Sequence, residues 1–207
     1  MKNEINKRII RSYKEELEKH GPNHKALKWS QFGQDWRFKK IISCMCPSDG
    51  GDISVLDLGC GFGDLNEYLK CSFDAYSYHG IDINEEFIDV AKRRYPNQSF
   101  KCCDIIETPP IKKFQYSIIS GLFNAPKIED KYGFMFNILD ALYQHTKGKL
   151  IFNFNSTYNT GEDPNSNYYD PLKVLKYCIE NLSTRVHLEH RYQNCDTLIM
   201  VERLNED

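Results

Sequence analysis

The chain has no C-x-x-C pair and no downstream H-x-x-x-H, so its eight cysteines lack the spacing of a zinc site. They stand at 44, 46, 60, 71, 102, 103, 178 and 195 and read as reduced, small apolar residues; no metal is expected. There is no run of about 18 apolar residues that could cross a membrane. The opening segment is charged and amphipathic rather than a signal sequence, which makes the cytoplasm the expected location. Charge of either sign is not in excess: 27 Lys plus Arg face 29 Asp plus Glu, a formal charge of −2. A sequence-independent pull toward nucleic acid is therefore not expected, and a small-molecule partner is. Oligomeric state is left open. No internal repeat or low-complexity tract interrupts the 207 residues, enough for one domain with a small N-terminal addition.

What is present is an alternation of helical and β-type patterns. Ile5, Ile9, Ile10, Tyr13 and Leu17 recur at helical spacing, and Gly21 and Pro22 supply a stop. Ser30 is placed to cap a second helix through Phe38 and Ile42, which runs into the CPSDGGD turn cluster at 46–52. From 53 onward, strands are predicted at ISVLDLG, AYSYHGID, SFKCCDI, YSIISG and KLIFNFN. Helices lie between, one opened by Asn84 and one opened by Asp170 with Pro171 at its first position. A helix through Phe134 and Leu142 is expected to close at TKGK, and TRVHLEH with DTLIMVERL forms a final hairpin joined by RYQNC. The expected fold is a doubly wound α/β sheet of seven strands, mostly parallel with the last antiparallel. Residues 1–48 are expected as a helical cover or lid and 49–207 as the domain beneath it.

The segment VLDLGCGFGDL, residues 55–65, asks for close backbone approach by a ligand. A strand ending in glycines and feeding a helix offers backbone N–H groups and a helix N-terminus. A dinucleotide fingerprint counted from Gly59 and Gly61 needs a third glycine at 64, where Asp64 stands; an acid there opposes a pyrophosphate. A ligand without phosphate and with a cationic centre meets no such objection.

The pattern of Asp57, Gly59, Gly61 and Gly63 resembles motif I of the class I S-adenosylmethionine-dependent methyltransferases, a resemblance that covers about residues 50–205. It implies that Cys60 and these loop residues pack on the methionine part of S-adenosyl-L-methionine, with S-adenosyl-L-homocysteine as product. It further implies Asp82 on the ribose hydroxyls with Ile83 beside the adenine, Asp104 on the exocyclic amine and Ile105 on the ring. Ser120 and Gly121 join them as cofactor contacts, and Arg37 is a candidate for the cofactor carboxylate. The competing reading is structural: Asp57 as a buried strand-end acid, Asp82 and Asp104 as caps, and Arg37 as a solvated charge.

In such folds ligands lie outside the carboxyl ends of the strands, so strands four and five and the hairpin frame the acceptor. Asn124-Ala125-Pro126 departs from the N/D-P-P-Y/F of adenine-amine methyltransferases. SGLFN, IFNFNSTY and YYDP, with His20-Gly21-Pro22, Trp29 and Arg37-Phe38, are instead similar to a bacterial subgroup of small class I enzymes linked to surface-polysaccharide or small-metabolite pathways. That similarity implies O-methylation of a small polar metabolite, or of a nucleotide-linked sugar or phosphoramidate precursor of a cell-surface polysaccharide. His190 and His20 are candidate bases, weighed against ordinary surface and capping histidines. Asn124, Asn153, Asn155, Tyr158, Tyr168 and Tyr169 are candidate acceptor contacts, weighed against a surface excursion with Tyr169 in the core. Rival readings are an RNA or protein methyltransferase and a cofactor-binding partner subunit without turnover.

Overall fold

The computed structural model describes residues 2–45, 53–124, 126–158, 163–193 and 196–204. Its helices are α1 Lys2–His20, α2 Gln31–Cys44, α3 Leu65–Ser72, α4 Glu85–Arg94, α5 Lys131–Gln144 and α6 Pro171–Asn181. Its strands are β1 Ser54–Leu58, β2 Ser77–Asp82, β3 Ser99–Cys102, β4 Phe114–Ile119, β5 Thr146–Asn155, β6 Val186–Gln193 and β7 Asp196–Glu202. They form one seven-stranded sheet in the order β3-β2-β1-β4-β5-β7-β6. The first five run parallel, and β7 lies antiparallel between β5 and β6. The order reverses at β1, leaving a crevice beyond the carboxyl ends of β1 and β4, where such sheets bind ligands.

Period-two alternation sorts the side chains between two layers. Leu56 and Leu58 of β1 and Leu150, Phe152 and Phe154 of β5 face α5 and α6, packing on Leu139, Leu142, Val174 and Cys178. Val55, Ile118 and Ile151 face the other way, onto Ile41 of α2, Leu65 and Leu69 of α3 and Ile88 of α4. Burial of both faces explains why the strands read as nearly continuous apolar runs. A third, smaller cluster joins Phe62, Phe87 and Val90 to Tyr13 and Leu17 of α1, so α1 lies over the strand ends rather than against either face.

The expected caps form. Ser30 Oγ accepts from the Gly33 N–H at 3.0 Å, Asn84 Oδ1 from Glu86 at 3.0 Å, and Asp170 Oδ1 from Leu172 at 2.9 Å. Helix α1 stops at Gly21, φ +69°, whose N–H donates to the Leu17 carbonyl. Two boundaries differ. TKGK does not close α5; the helix ends at Gln144, and Thr146–Lys149 already belong to β5, where Phe114 pairs with Thr146 across a register shift. Of RYQNC, Arg191–Gln193 extend β6 past a bulge between His190 and Gln193, because β7 continues to offer ladder partners. The CPSDGGD cluster and the expected boundary at 48/49 fall outside the described residues.

Candidate functional site

The loop after β1 turns through left-handed residues, with φ of +74° at Gly59, +54° at Gly61 and +78° at Gly63. A Cβ on Gly59 would stand 2.7 Å from Leu122 Cδ1, and one on Gly61 3.1 Å from Leu27. These two glycines let the loop meet the cover and the β4 end. The constraint at Gly63 is different: its Cβ would meet the Phe100 and Tyr95 rings at 3.0–3.1 Å, beneath the loop. The Gly59 N–H donates to the Ile81 carbonyl at 2.7 Å, stitching the loop to the end of β2.

A cavity of about 130 Å³ opens above this loop, roofed by Asn6, Ile9, Ile10 and Tyr13 of α1. Its wall carries four carboxylates, Asp57, Asp64, Asp82 and Asp104, and among the described residues no lysine, arginine or histidine lines it. Asp82 is held by two backbone donors, Gly61 N–H to Oδ2 and Asn84 N–H to Oδ1, each at 2.9 Å. Asp104 Oδ1 accepts from the Ile106 N–H at 2.9 Å, and its Oδ2 accepts from Asn6 Nδ2 of α1 at 2.7 Å. Ile83, Ile105 and Phe87 supply apolar wall between the two acids. Two lining residues, Ser120 through Oγ and Asn84 through Nδ2, bring buried polar atoms without a hydrogen-bond partner. Orphaned buried groups of this kind call for a polar ligand.

Asp57, Asp64 and Asp82 sit where ionisation is resisted. Burial pushes Asp57 up to about 7, against the opposing hydrogen bond from Tyr78 Oη at 2.6 Å. Burial also raises Asp82, whose backbone donors pull the other way, and Asp64, which Arg94 partly offsets at 2.9 Å. Tyr13 is raised by burial and then by the charge of Asp82. A cationic ligand would relieve this crowding of acids, and a phosphate would worsen it.

A second cavity, of about 520 Å³, lies on the other side of a shared partition formed by Tyr13, Leu27, Trp29 and Gly121. The partition is tight: a Cβ on Gly121, φ +73°, would fall 2.2 Å from Trp29 Cζ2. Arg8, Ser12 and Glu16, one stripe of α1 at spacing four, face this second cavity, as do Asn124 and Asn155. Asn124 Oδ1 accepts from the Asn155 backbone N–H at 3.1 Å.

Of the residues expected at a cofactor site, Asp57, Gly59, Cys60, Gly61 and Asp82 line the first cavity. Ile83, Asp104, Ile105, Ser120 and Gly121 line it too. Gly63 does not, for the packing reason above. Arg37 does not either: it lines the second cavity, and its Nε and Nη2 donate to Asp196 at 2.6 and 3.0 Å, with Trp29 stacked 4.9 Å away. Asp196 is nearly inaccessible, so this is a buried pair tying α2 to β7.

The expected bases stand elsewhere. His190 bonds Ser156 Oγ at 2.8 Å, packs edge-on to exposed Tyr158, and lines neither cavity. His20 lines neither as well, but its Nε2 lies 3.3 Å from Glu16, which does line the second. Among the expected acceptor contacts, Asn124 and Asn155 reach that cavity. Asn153 is fully buried and accepts from the Gly121 N–H at 2.7 Å, fixing the end of β4. Tyr169 is a core residue against Phe123 and Phe154. Tyr168 receives the Asp163 N–H at 2.8 Å on its hydroxyl, inside its own loop. Asn6, Tyr13, Glu16 and Lys28 went unforeseen; only the polar members of the α1 pattern could have drawn attention to them.

A family described as a methyltransferase domain matches residues 55–144, from β1 through α5. The chain is similar to the methyltransferase candidate Rv1506c of Mycobacterium tuberculosis, with 28% identity over 158 residues, 72% of this chain and 93% of that one. It is 32% identical over 83 residues to the ubiquinone/menaquinone biosynthesis C-methyltransferase UbiE of Campylobacter jejuni, a match spanning 37% of this chain and 35% of UbiE. In three dimensions it is similar to the N-methyltransferase NodS of Bradyrhizobium japonicum, solved with S-adenosyl-L-homocysteine. That likeness has a TM-score of 0.69 at 18% identity and covers 94% of this chain and 97% of NodS, a likeness of fold.

Proposed function

We propose, from the methyltransferase-domain match over residues 55–144 and the resemblance of the glycine loop to the class I S-adenosylmethionine-dependent methyltransferases, that the chain methylates an oxygen of a small polar acceptor held in the second cavity. The observation that carries this is the pairing of two unlike cavities across one thin partition: an acid-lined one at the strand ends and a polar one beside it. S-adenosylmethionine, when bound, supplies a methyl group on a positively charged sulfur and so its own leaving-group activation. The residues fit that cofactor: Asp82, held open by the Gly61 and Asn84 N–H groups, would take the ribose diol. Asp104 would take the adenine amine that Asn6 now occupies, and Ile83 and Ile105 would sandwich the ring.

The protein's remaining work is alignment and proton removal. Transfer to a hydroxyl would leave the acceptor oxygen with a proton to lose and the cofactor as a neutral thioether. The acceptor hydroxyl proton then needs a base. Glu16 is our candidate, since it lines the second cavity and its neighbour His20, 3.3 Å away, can take the proton on from it. A sugar or phosphoramidate precursor of a surface polysaccharide is the narrower acceptor we favour, on resemblance alone.

Calorimetry tests the cofactor half: S-adenosylhomocysteine should bind the wild type, and Asp82→Ala should weaken it by about 100-fold, as two hydrogen bonds to a charged group are lost. Retained tight binding in Asp82→Ala would overturn the assignment. Release of S-adenosylhomocysteine with hydroxyl acceptors but not with amines tests the oxygen half.

A further inference from the structure

We propose that the second cavity is an oxyanion site, and that the acceptor carries a phosphate, phosphonate or carboxylate group gripped by Arg8, Lys28 and Lys127. This rests on the methyl-transfer reading and specifies its acceptor. The three cations come from separate segments, α1, the turn before Trp29, and the stretch after β4, yet converge on one cavity. The Arg8 guanidinium donates to the Lys127 carbonyl at 2.7 Å, and the Lys28 ammonium donates to Ser12 Oγ, one helical turn along α1 from Arg8. Among the described residues none of the three is in an ion pair with a carboxylate.

The other charges of the cavity are already engaged. Arg37 is neutralised by Asp196, and Glu16 faces His20. Asp163 accepts from the Asn165 N–H and the Ser166 hydroxyl within its own loop, and these bonds, with a smaller contribution from the charge of Lys28, hold its carboxyl below the ordinary range.

Lys28 adds a second, independent sign. It is the one non-glycine with positive φ among the described residues, at +59°. A lysine there is strained, and such strain persists where the surroundings hold it and a site uses it. Here it sets the ammonium 5.2 Å from the Tyr13 ring centroid, at the partition between the cavities. The charge pattern then sorts the two ligands. A cationic donor is drawn to the side with four aspartates, and an anion is repelled from it toward the side where Arg8, Lys28 and Lys127 converge.

The test uses the full chain saturated with S-adenosylhomocysteine, titrated at constant ionic strength with inorganic phosphate, methylphosphonate, acetate and choline. Phosphate or methylphosphonate should bind saturably and choline should not, with acetate ranking the carboxylate. The Arg8→Gln/Lys28→Gln variant should bind the preferred anion at least about tenfold more weakly, the loss of charge-assisted contacts, while its S-adenosylhomocysteine affinity stays within twofold. Equal anion binding by wild type and variant would mean an adventitious ion only, and choline binding as well as phosphate would overturn the proposal outright. A variant that loses S-adenosylhomocysteine affinity would show these cations serving the cofactor's own carboxylate, which also overturns it. A wild type that binds no S-adenosylhomocysteine strikes the methyl-transfer reading instead; the anion titrations then run on the bare chain, with the same outcomes deciding this proposal.

Discussion

Asn6 of α1 donates its side-chain amide to Asp104 at 2.7 Å, across 98 positions of sequence, and so fastens α1 to the wall of the acid-lined cavity. The space beneath, about 130 Å³, is smaller than the few hundred Å³ usual for a cofactor site, so the proposed cofactor reading requires α1 to lift. Asn6→Ala removes a fastening without touching the core. S-adenosylhomocysteine should dissociate several-fold faster from this variant, read by stopped-flow fluorescence, with thermal stability changed by about 1 kcal/mol or less. Unaltered dissociation would mean the cover does not move on that bond.

Two glycines with nearly the same left-handed backbone separate strain from packing. Gly21, φ +69°, has nothing within 4 Å of a built Cβ, whereas at Gly121, φ +73°, the Cβ would strike Trp29 at 2.2 Å. Gly21→Ala should destabilise by about 1 kcal/mol, the backbone term alone. Gly121→Ala should cost about 3 kcal/mol or more, because Trp29 is itself held by Arg37. Chemical denaturation of both variants checks the difference; equal losses would show that Trp29 yields freely.

On the proposed cofactor reading, Asp57 is expected to make cofactor choice depend on pH. Its native value is pushed up to about 7 by burial, against an ordinary 3.8. Between those values the folded chain holds a proton that the unfolded chain has released, so this group's contribution to stability falls as pH rises, by up to about 1.4 kcal/mol per unit. Above about 7 the carboxylate is ionised in both states and the trend ends. A sulfonium favours the ionised form, and the neutral thioether of the product does not. The preference for S-adenosylmethionine over S-adenosylhomocysteine should therefore increase from pH 6 to pH 8 in calorimetry. Tyr78→Phe, which removes the hydrogen bond to Asp57 Oδ2, should move that rise to higher pH. A preference flat across this range would place the charge away from Asp57.

Glu16, rather than either candidate histidine, lines the second cavity, where the acceptor is proposed to sit. Glu16→Gln should lower kcat by about 100-fold or more with S-adenosylhomocysteine affinity unchanged, the usual range for a lost base. His20→Ala, which strips Glu16 of its partner, should have a smaller effect, and His190→Ala should leave turnover within about threefold. A His190→Ala enzyme as impaired as Glu16→Gln would return the base to the hairpin.

The legible part of this protein was written in short-range signals. Ser30, Asn84 and Asp170 announce their helices because a cap acts over two or three residues. The alternate glycines after β1 announce a left-handed turn because only glycine takes it without strain. Even a boundary error had a local form: TKGK looks like a turn, but pairing with β4 and β7 extends β5 through it.

Sequence by itself thus determined the alternating α/β order, the caps, the glycine loop and the acids at the strand ends. Tertiary structure alone decided that Arg37 meets Asp196, 159 positions away, that Asn6 meets Asp104, and that Gly63 supports the loop from below. It also decided that one stripe of α1 faces the acidic cavity and another the basic one. The reason is physical: caps and turns close within a few residues of chain, whereas these partners are chosen by how the sheet stacks its strands and where α1 comes to rest across their ends.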